Sequence, residues 1–287
     1  MKPFPIPVVA LGPGSQSEEE SLDYLPMPKD MNTYRPPLLP EPEELIDCAA
    51  ARSALHEVVS LLERTSKGGP GGQINVHGLA RHDLELVNQV LGEGEASAIV
   101  SEAGNRLQVR IQESVFTGVW RVTTWDQAQL VDDVVEVGAI PALLRDVASE
   151  DARHPVTPWS DLLPPNVQNA PMLIAEIRDH TARWQPGTPP HVVNLSLLPV
   201  TPEDIAFLDH ELGTGRVLML SRGYGNCRIT NTRLPNCWRV VYYNAMDTVI
   251  LNTVEVVDMP EVAMAAPEDL LDSLERLRDV VRHLELS

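Results

Sequence analysis

Cysteines, basic residues, aromatic residues and long apolar runs are all scarce in this chain of 287 residues. Its three cysteines are too few for a disulfide-bonded scaffold and fit a reducing cytoplasm. No apolar run approaches the roughly 18 residues of a membrane-spanning helix, and prolines at positions 3, 5 and 7 interrupt the start, which argues against a signal peptide. We therefore expect a cytoplasmic protein without stable membrane insertion.

The charge balance is strongly acidic, with 22 basic against 41 acidic residues and a net charge of −19. Such a surface repels phosphate backbones and anionic lipids, so nucleic-acid partners are disfavoured. A basic protein partner or a cation is favoured. The same charge also keeps a protein soluble, which needs no partner at all.

Sequence motifs of common catalytic sites are also missing. The eight histidines form no His-Glu-x-x-His pattern, and neither a Gly-x-Ser-x-Gly elbow nor a nucleotide-binding Gly-x-x-x-x-Gly-Lys-Ser/Thr loop occurs. The two Leu-Gly-x-Gly segments, at Leu91 and Leu212, follow predicted helices, whereas a dinucleotide fingerprint follows a strand. We interpret them as helix ends. The sequence predicts no enzyme and no cofactor.

What the chain does contain is one unit twice. Matched segments recur in the same order at offsets of 118 to 121 residues: Gly104-Asn105 with Gly225-Asn226, Trp120-Arg121-Val122 with Trp238-Arg239-Val240, and Val135-Glu136-Val137 with Val254-Glu255-Val256. This period is too long for a solenoid and indicates two copies of a small domain. Residues common to both copies are interpreted as scaffold.

Each copy predicts a helix, an antiparallel meander of four short strands, and a second helix, which is an α+β fold. The predicted strands are 95–101, 106–112, 117–124 and 129–137 in the first copy, and 216–221, 227–233, 237–243 and 248–257 in the second. Helices are predicted before and after each set of strands, the last one opening at Pro267.

Proline and glycine content divides the chain further. An extended Pro-rich acidic arm is predicted over residues 1–41, which hold most of the ten prolines found before residue 43. We expect an N-terminal helix and Gly-rich turn over 42–72, a first repeat domain over 73–150, a Pro-rich connector with a helix over 151–190, and a second repeat domain over 191–287.

Candidate functional residues concentrate in the second copy. Tyrosine and arginine are enriched in binding hot spots, and the residues predicted to contact a partner are Arg222, Tyr224, Arg228, Arg233, Arg239, Tyr242 and Tyr243. Solvated strand faces would give the same pattern.

Cys227 and Cys237 lie on successive predicted strands and could form a two-thiolate half-site for a metal or a redox pair. The matching residues of the first copy are Arg106 and Val119, so the shared fold does not need the cysteines. Two buried, inert side chains are the simpler interpretation of the pair.

Longer segments resemble a known family. Gly223-Tyr-Gly-Asn-Cys-Arg-Ile-Thr-Asn-Thr, Trp238-Arg-Val-Val-Tyr-Tyr-Asn and, in the first copy, Gln112-Glu-Ser-Val-Phe-Thr-Gly-Val-Trp-Arg are similar to segments of hydrogenase expression/formation proteins of the HupH/HyaF/HoxQ type. The resemblance covers most of residues 31–284.

The resemblance implies a non-enzymatic, cytoplasmic chaperone in the maturation of membrane-bound [NiFe] uptake hydrogenase. Its partner would be the immature iron–sulfur small subunit, bound before this subunit assembles with the large subunit and is exported. The chaperone would protect the bound subunit from oxygen. Other hydrogenase maturation factors would be further partners. The alternative is an iron–sulfur or metal carrier, or a redox factor of the same pathway, that uses Cys227 and Cys237.

Overall fold

The computed structural model describes residues 48–101, 106–160, 162–222 and 225–286. The predicted arm, the first residues of the predicted N-terminal helix, the Gly104-Asn105 pair and Tyr224 lie outside the described residues. Among the residues described, no helix is both long and apolar enough to cross a membrane.

Helices and strands alternate in a pattern that occurs twice, which confirms the α+β class and the tandem repeat. The first repeat contains α1 (Ala49–Ser66), β1 (Gly72–Asn75), α2 (Arg81–Leu91), β2 (Ala96–Ser101), β3 (Leu107–Glu113), β4 (Val119–Asp126), β5 (Gln129–Val137) and α3 (Ala142–Asp151). The second contains α4 (Ala170–Arg183), β6 (His191–Asn194), α5 (Pro202–Leu212), β7 (Thr214–Ser221), β8 (Asn226–Thr232), β9 (Cys237–Tyr243), β10 (Val249–Val256), a 3-10 turn at Glu261–Ala263 and α6 (Pro267–Leu286).

The ten strands of the described residues join in one antiparallel sheet, in the order β1-β5-β4-β3-β2-β7-β8-β9-β10-β6. The two repeats meet where β2 pairs with β7, so that Ile99 lies opposite Leu218. Their order is symmetric about that junction, and the sheet therefore has an approximate twofold axis. The sequence predicted two separate meanders, whereas the structure has one continuous sheet.

Strands β1 and β6 form the two edges of the sheet and were not predicted. Each is four residues long, and each buries one side chain, Ile74 in β1 and Val193 in β6. So short a segment carries too little alternation to be distinguished from a loop. Each edge strand follows a helix that the sequence did predict, α1 or α4, so the edge strand is the element that the prediction lacked in each repeat.

The helices cover the two faces of the sheet differently. On one face, α3 and the Glu261–Ala263 turn cover the centre, over a core that includes Trp120 and Trp238. We call this the covered face. On the other face, helices lie at both ends, with α1, α2 and α6 over the first repeat and α4 and α5 over the second. We call this the flanked face.

Residues shared by the two copies have matching structural roles. Trp120 and Trp238 are both buried on the covered face, and their indole N–H groups donate to backbone carbonyls at 3.0 and 3.1 Å. Gly92 and Gly213 end α2 and α5 with positive φ angles of 56° and 66°, which favour glycine. The interpretation of the Leu-Gly-x-Gly segments as helix ends is confirmed.

Candidate partner-binding surface

The residues predicted to contact a partner do not form a single patch. Arg222 and Arg233 follow opposite ends of the β7–β8 hairpin, and Tyr242 packs against the core of the covered face. Burial lowers the pKa of Arg222 despite the nearby carboxylates of Glu93 and Glu95. Tyr224 lies outside the described residues.

Arg228, Arg239 and Tyr243 share the flanked face of β8 and β9, because Arg228 lies opposite Val241 and Thr230 opposite Arg239. Arg239 is held in place from two sides. Its Nε donates to Asn252 at 2.6 Å and its Nη1 to Asp209 on α5 at 2.8 Å.

Arg121 occupies the equivalent position in the first repeat, between Asn88 on α2 and Asp133 on β5. In the first repeat the acidic partner is on the strand and the asparagine is on the helix. In the second repeat the acidic partner, Asp209, is on the helix and the asparagine, Asn252, is on the strand. In both repeats the arginine thus ties a flanking helix to the sheet. These contacts give Arg121 and Arg239 a structural role, and the contact of Arg239 with a partner stays a prediction.

The centre of the flanked face carries three aliphatic side chains, Ile99, Leu218 and Leu220, which we call the central strip. Ile99 pairs with Leu218 across the junction of the repeats, and Leu220 has the same orientation two residues further along β7. Leu218 and Leu220 are partly exposed. None of the three belongs to any of the hydrophobic core clusters formed by the described residues.

An arginine stacked on an aromatic ring stands on each side of the central strip. Arg110 lies opposite Ile99, and its guanidinium carbon is 5.2 Å from the centroid of the Trp125 ring. Arg228 lies opposite Leu220, and its guanidinium carbon is 5.8 Å from the centroid of the Tyr243 ring. These are cation–π distances.

The two arginine–aromatic pairs are equivalent by the repeat, because both members are offset by 118 residues. The sequence interpretation treated Arg228 as peculiar to the second copy and missed Arg110 and Trp125. It aligned the copies through Gly104-Asn105, at an offset of 121, whereas the strands β3 and β8 align at 118. Extending the Trp120–Trp238 offset in both directions along the sequence would have found the first pair.

The alternative in which Cys227 and Cys237 meet in a hairpin is wrong. Cys227 lies opposite Tyr242, five residues from Cys237, which is about 17 Å along an antiparallel strand. The two side chains also lie on opposite faces, since Cys227 belongs to the core of the covered face and Cys237 to the core beneath α4 and α5. The strand alignment matches Cys227 with Val109, not Arg106.

Burial determines the chemistry of these two thiols. It raises the pKa of both to about 12, although Tyr242 and Thr232 donate hydrogen bonds that act in the opposite direction. At neutral pH both groups are protonated, so neither is a ready nucleophile or metal ligand. Cys48 is buried as well.

The repeat is matched by a family model. The model described as "HupH hydrogenase expression protein, C-terminal conserved region" matches residues 48–163 and again residues 167–284. The two matches correspond to the two structural repeats, and each includes the helix, α1 or α4, that precedes an edge strand.

Several curated proteins are similar over nearly the whole chain. The hydrogenase expression/formation protein HoxQ of Cupriavidus necator is 51% identical, with 98% of each chain covered. The hydrogenase expression/formation protein HupH of Rhodobacter capsulatus is 43% identical, with 97% of each chain covered. Among solved structures, a hydrogenase expression protein HupH from Thiobacillus denitrificans is 29% identical over 41% of this chain and 96% of its own, with a TM-score of 0.37.

Proposed function

This chain belongs to the family of HupH hydrogenase expression proteins, and on that premise we propose that it is a non-enzymatic chaperone in [NiFe] hydrogenase maturation. Its client is the immature iron–sulfur small subunit, bound in the cytoplasm before assembly with the large subunit and export. Bound in this way, the client is protected from oxygen until it is assembled.

The central strip with its two arginine–aromatic pairs is the observation that carries this proposal. Leu218 and Leu220 are partly exposed and flank the buried Ile99, on a sheet face that the helices of the described residues cover at its two ends. An apolar centre bordered by arginines is typical of a protein-binding surface.

The arginines define what kind of client segment fits. Arg110 and Arg228 lie on β3 and β8, three strand spacings apart, which is about 14 Å across the sheet. An extended segment of about four residues spans that distance. We propose that the strip binds an apolar segment of the small subunit with carboxylates on both sides, each facing one guanidinium.

Two substitutions test the surface in a binding assay with the purified small-subunit precursor. Replacing Arg110 and Arg228 by Ala removes both guanidinium groups and leaves the aliphatic strip intact. The expected result is at least a tenfold weaker affinity, since each hot-spot arginine contributes about 1–2 kcal/mol. Arg282→Ala is the matched control, because Arg282 forms an exposed ion pair with Asp279 on α6.

The possible results separate the components of the proposal. No association of the unmodified chain with the precursor refutes the chaperone function. Normal association of the double variant refutes the surface but not the function. If the double variant binds the precursor normally but is less stable on its own, the two arginines beside the strip serve a contact within this chain and not the binding of a client.

A further inference from the structure

A second cluster of polar side chains lies at the edge of the sheet, away from the central strip. Glu176 and His180 are one turn apart on α4, and His191 is the first residue of the edge strand β6. One ligand atom from each side chain lies within 4.8 Å of the other two. His191 Nε2 is 2.8 Å from Glu176 Oε1, and the His180 and His191 rings are stacked with their centroids 3.4 Å apart.

The first repeat shows what this place in the fold requires. Edge strand β1 pairs Gly72 with Val137, and β6 pairs His191 with Val256, so both residue pairs are offset by 119. The same offset relates Leu61 of α1 to His180 of α4.

In the first repeat, a Cβ atom added to Gly72 would lie 2.8 Å from Leu61 Cδ2. Leu61 therefore lies directly over the strand, where an aliphatic side chain and a glycine suffice to pack helix against sheet. Stacked histidines in the second repeat are not needed by the scaffold. A role specific to this repeat explains them better than packing does.

We propose that Glu176, His180 and His191 bind one divalent transition-metal ion, of which Zn²⁺ is the representative. Two imidazoles and one carboxylate are ligands that such ions prefer. Three protein ligands leave a fourth position open for water or for a group from a bound partner. This site is independent of the chaperone proposal and of the two buried cysteines.

Metal binding requires only side-chain movement. Ligand atoms in a tetrahedral zinc site are about 3.3 Å apart, as follows from bond lengths of about 2.0–2.2 Å. A separation of at most 4.8 Å thus closes by about 1.5 Å. The ring planes of His180 and His191 differ by only 3°, so their in-plane lone pairs do not converge. Binding must therefore open the stack.

The test is a calorimetric titration of the untagged, metal-free full chain with Zn²⁺. We expect one equivalent to bind. The key variant is His180→Leu/His191→Gly, which reproduces the pair found in the first repeat and thereby retains packing that this fold already accommodates. Its affinity for Zn²⁺ should fall at least tenfold, whereas His77→Ala, which removes an exposed histidine elsewhere, should leave the affinity unchanged.

A second measurement does not depend on the double variant. In NMR spectra, the imidazole Cε1–H resonances of His180 and His191 should shift on addition of one equivalent of Zn²⁺, because the stack opens, and Glu176→Gln should weaken the binding. Absence of zinc binding by the unmodified chain overturns the proposal. Equal affinity of the double variant, or an equal loss in His77→Ala, overturns it as well.

Discussion

The carboxylate of Asp204 connects α5 to the start of α4 and gives the most direct stability test of the repeat. It is fully buried. Its Oδ1 accepts hydrogen bonds at 2.8, 2.9 and 2.9 Å, and its Oδ2 one at 3.1 Å, from the backbone N–H groups of Gln168, Asn169, Ala170 and Thr201 respectively.

Replacing Asp204 by Ala removes both acceptor oxygens and thereby all four hydrogen bonds. A buried donor left without a partner costs about 1–3 kcal/mol, but the exposed Gln168 can bond to water. The expected loss in the free energy of unfolding is about 3–5 kcal/mol. Asp204→Asn retains Oδ1 but places an amide N–H₂ against the Thr201 N–H group, so a smaller loss of about 1–2 kcal/mol is expected.

Urea unfolding followed by circular dichroism at pH 7 measures both losses. Glu203→Ala is the control, because Glu203 lies beside Asp204 in the first turn of α5 but is exposed. The reasoning is refuted if Asp204→Ala costs less than about 1 kcal/mol, or if Asp204→Asn costs as much as Asp204→Ala.

The pH dependence provides an independent check on the same residue. Burial alone would raise the pKa of Asp204, but the four N–H donors outweigh it and lower the pKa. A carboxyl with a lowered pKa stabilises the folded state above its unfolded pKa of about 3.9 and loses that contribution as the pH falls through its folded value. Asp204→Ala should therefore flatten the loss of stability below about pH 4.

Three further substitutions or reagents test the interior. Burial raises the pKa of Glu113 to about 7, so its destabilising charge develops as the pH rises from about 4.5 to 7. The stability of Glu113→Gln relative to the unmodified chain should therefore increase by about 3 kcal/mol between pH 4 and pH 8. Cys227 and Cys237, both with pKa values of about 12, should react with an aromatic disulfide reagent at pH 8 only after unfolding. A Cβ at Gly215 would lie 2.1 Å from the side-chain nitrogen of the buried Asn231, so Gly215→Ala should lower the free energy of unfolding by about 2 kcal/mol or more. Gly78→Ala is the control and should lower it little, because a Cβ there has no atom within 4 Å.

Local patterns in the sequence were sufficient for the elements whose signals are local. The apolar periodicity of α6, the glycines that end α2 and α5, and the alternation in β3 predicted these elements within a few residues, as did the Lys67-Gly68-Gly69 segment for the C-terminal end of α1. The repeat itself came from matched residues such as Trp120 and Trp238. What the sequence could not provide was the pairing of β2 with β7, which joins residues about 120 positions apart and has no turn between them to signal it.

The alternative pairing of Cys227 with Cys237 fails for a geometric reason. A separation of ten residues across a predicted turn suggests proximity, but proximity in a hairpin depends on distance from the turn. Cys237 begins β9 directly after the turn, whereas Cys227 lies near the far end of β8. Side chains alternate between the two faces of a sheet along each strand, so the odd separation of five residues also places the two cysteines on opposite faces. A shift in register by one residue would move every side chain of a strand to the other face.

The two repeats share one sheet and also share helices across their cores. Helix α6, which ends the second repeat, packs against α1 and contributes Leu270, Leu274 and Leu277 to the core of the first. In return, α3 of the first repeat packs over β7 of the second, with Leu144 in the shared core of the covered face. Each repeat thus lacks a helix that the other provides. Because the scaffold is shared, residues that break the symmetry, such as His180 and His191, are where a function peculiar to one half of the molecule should be sought.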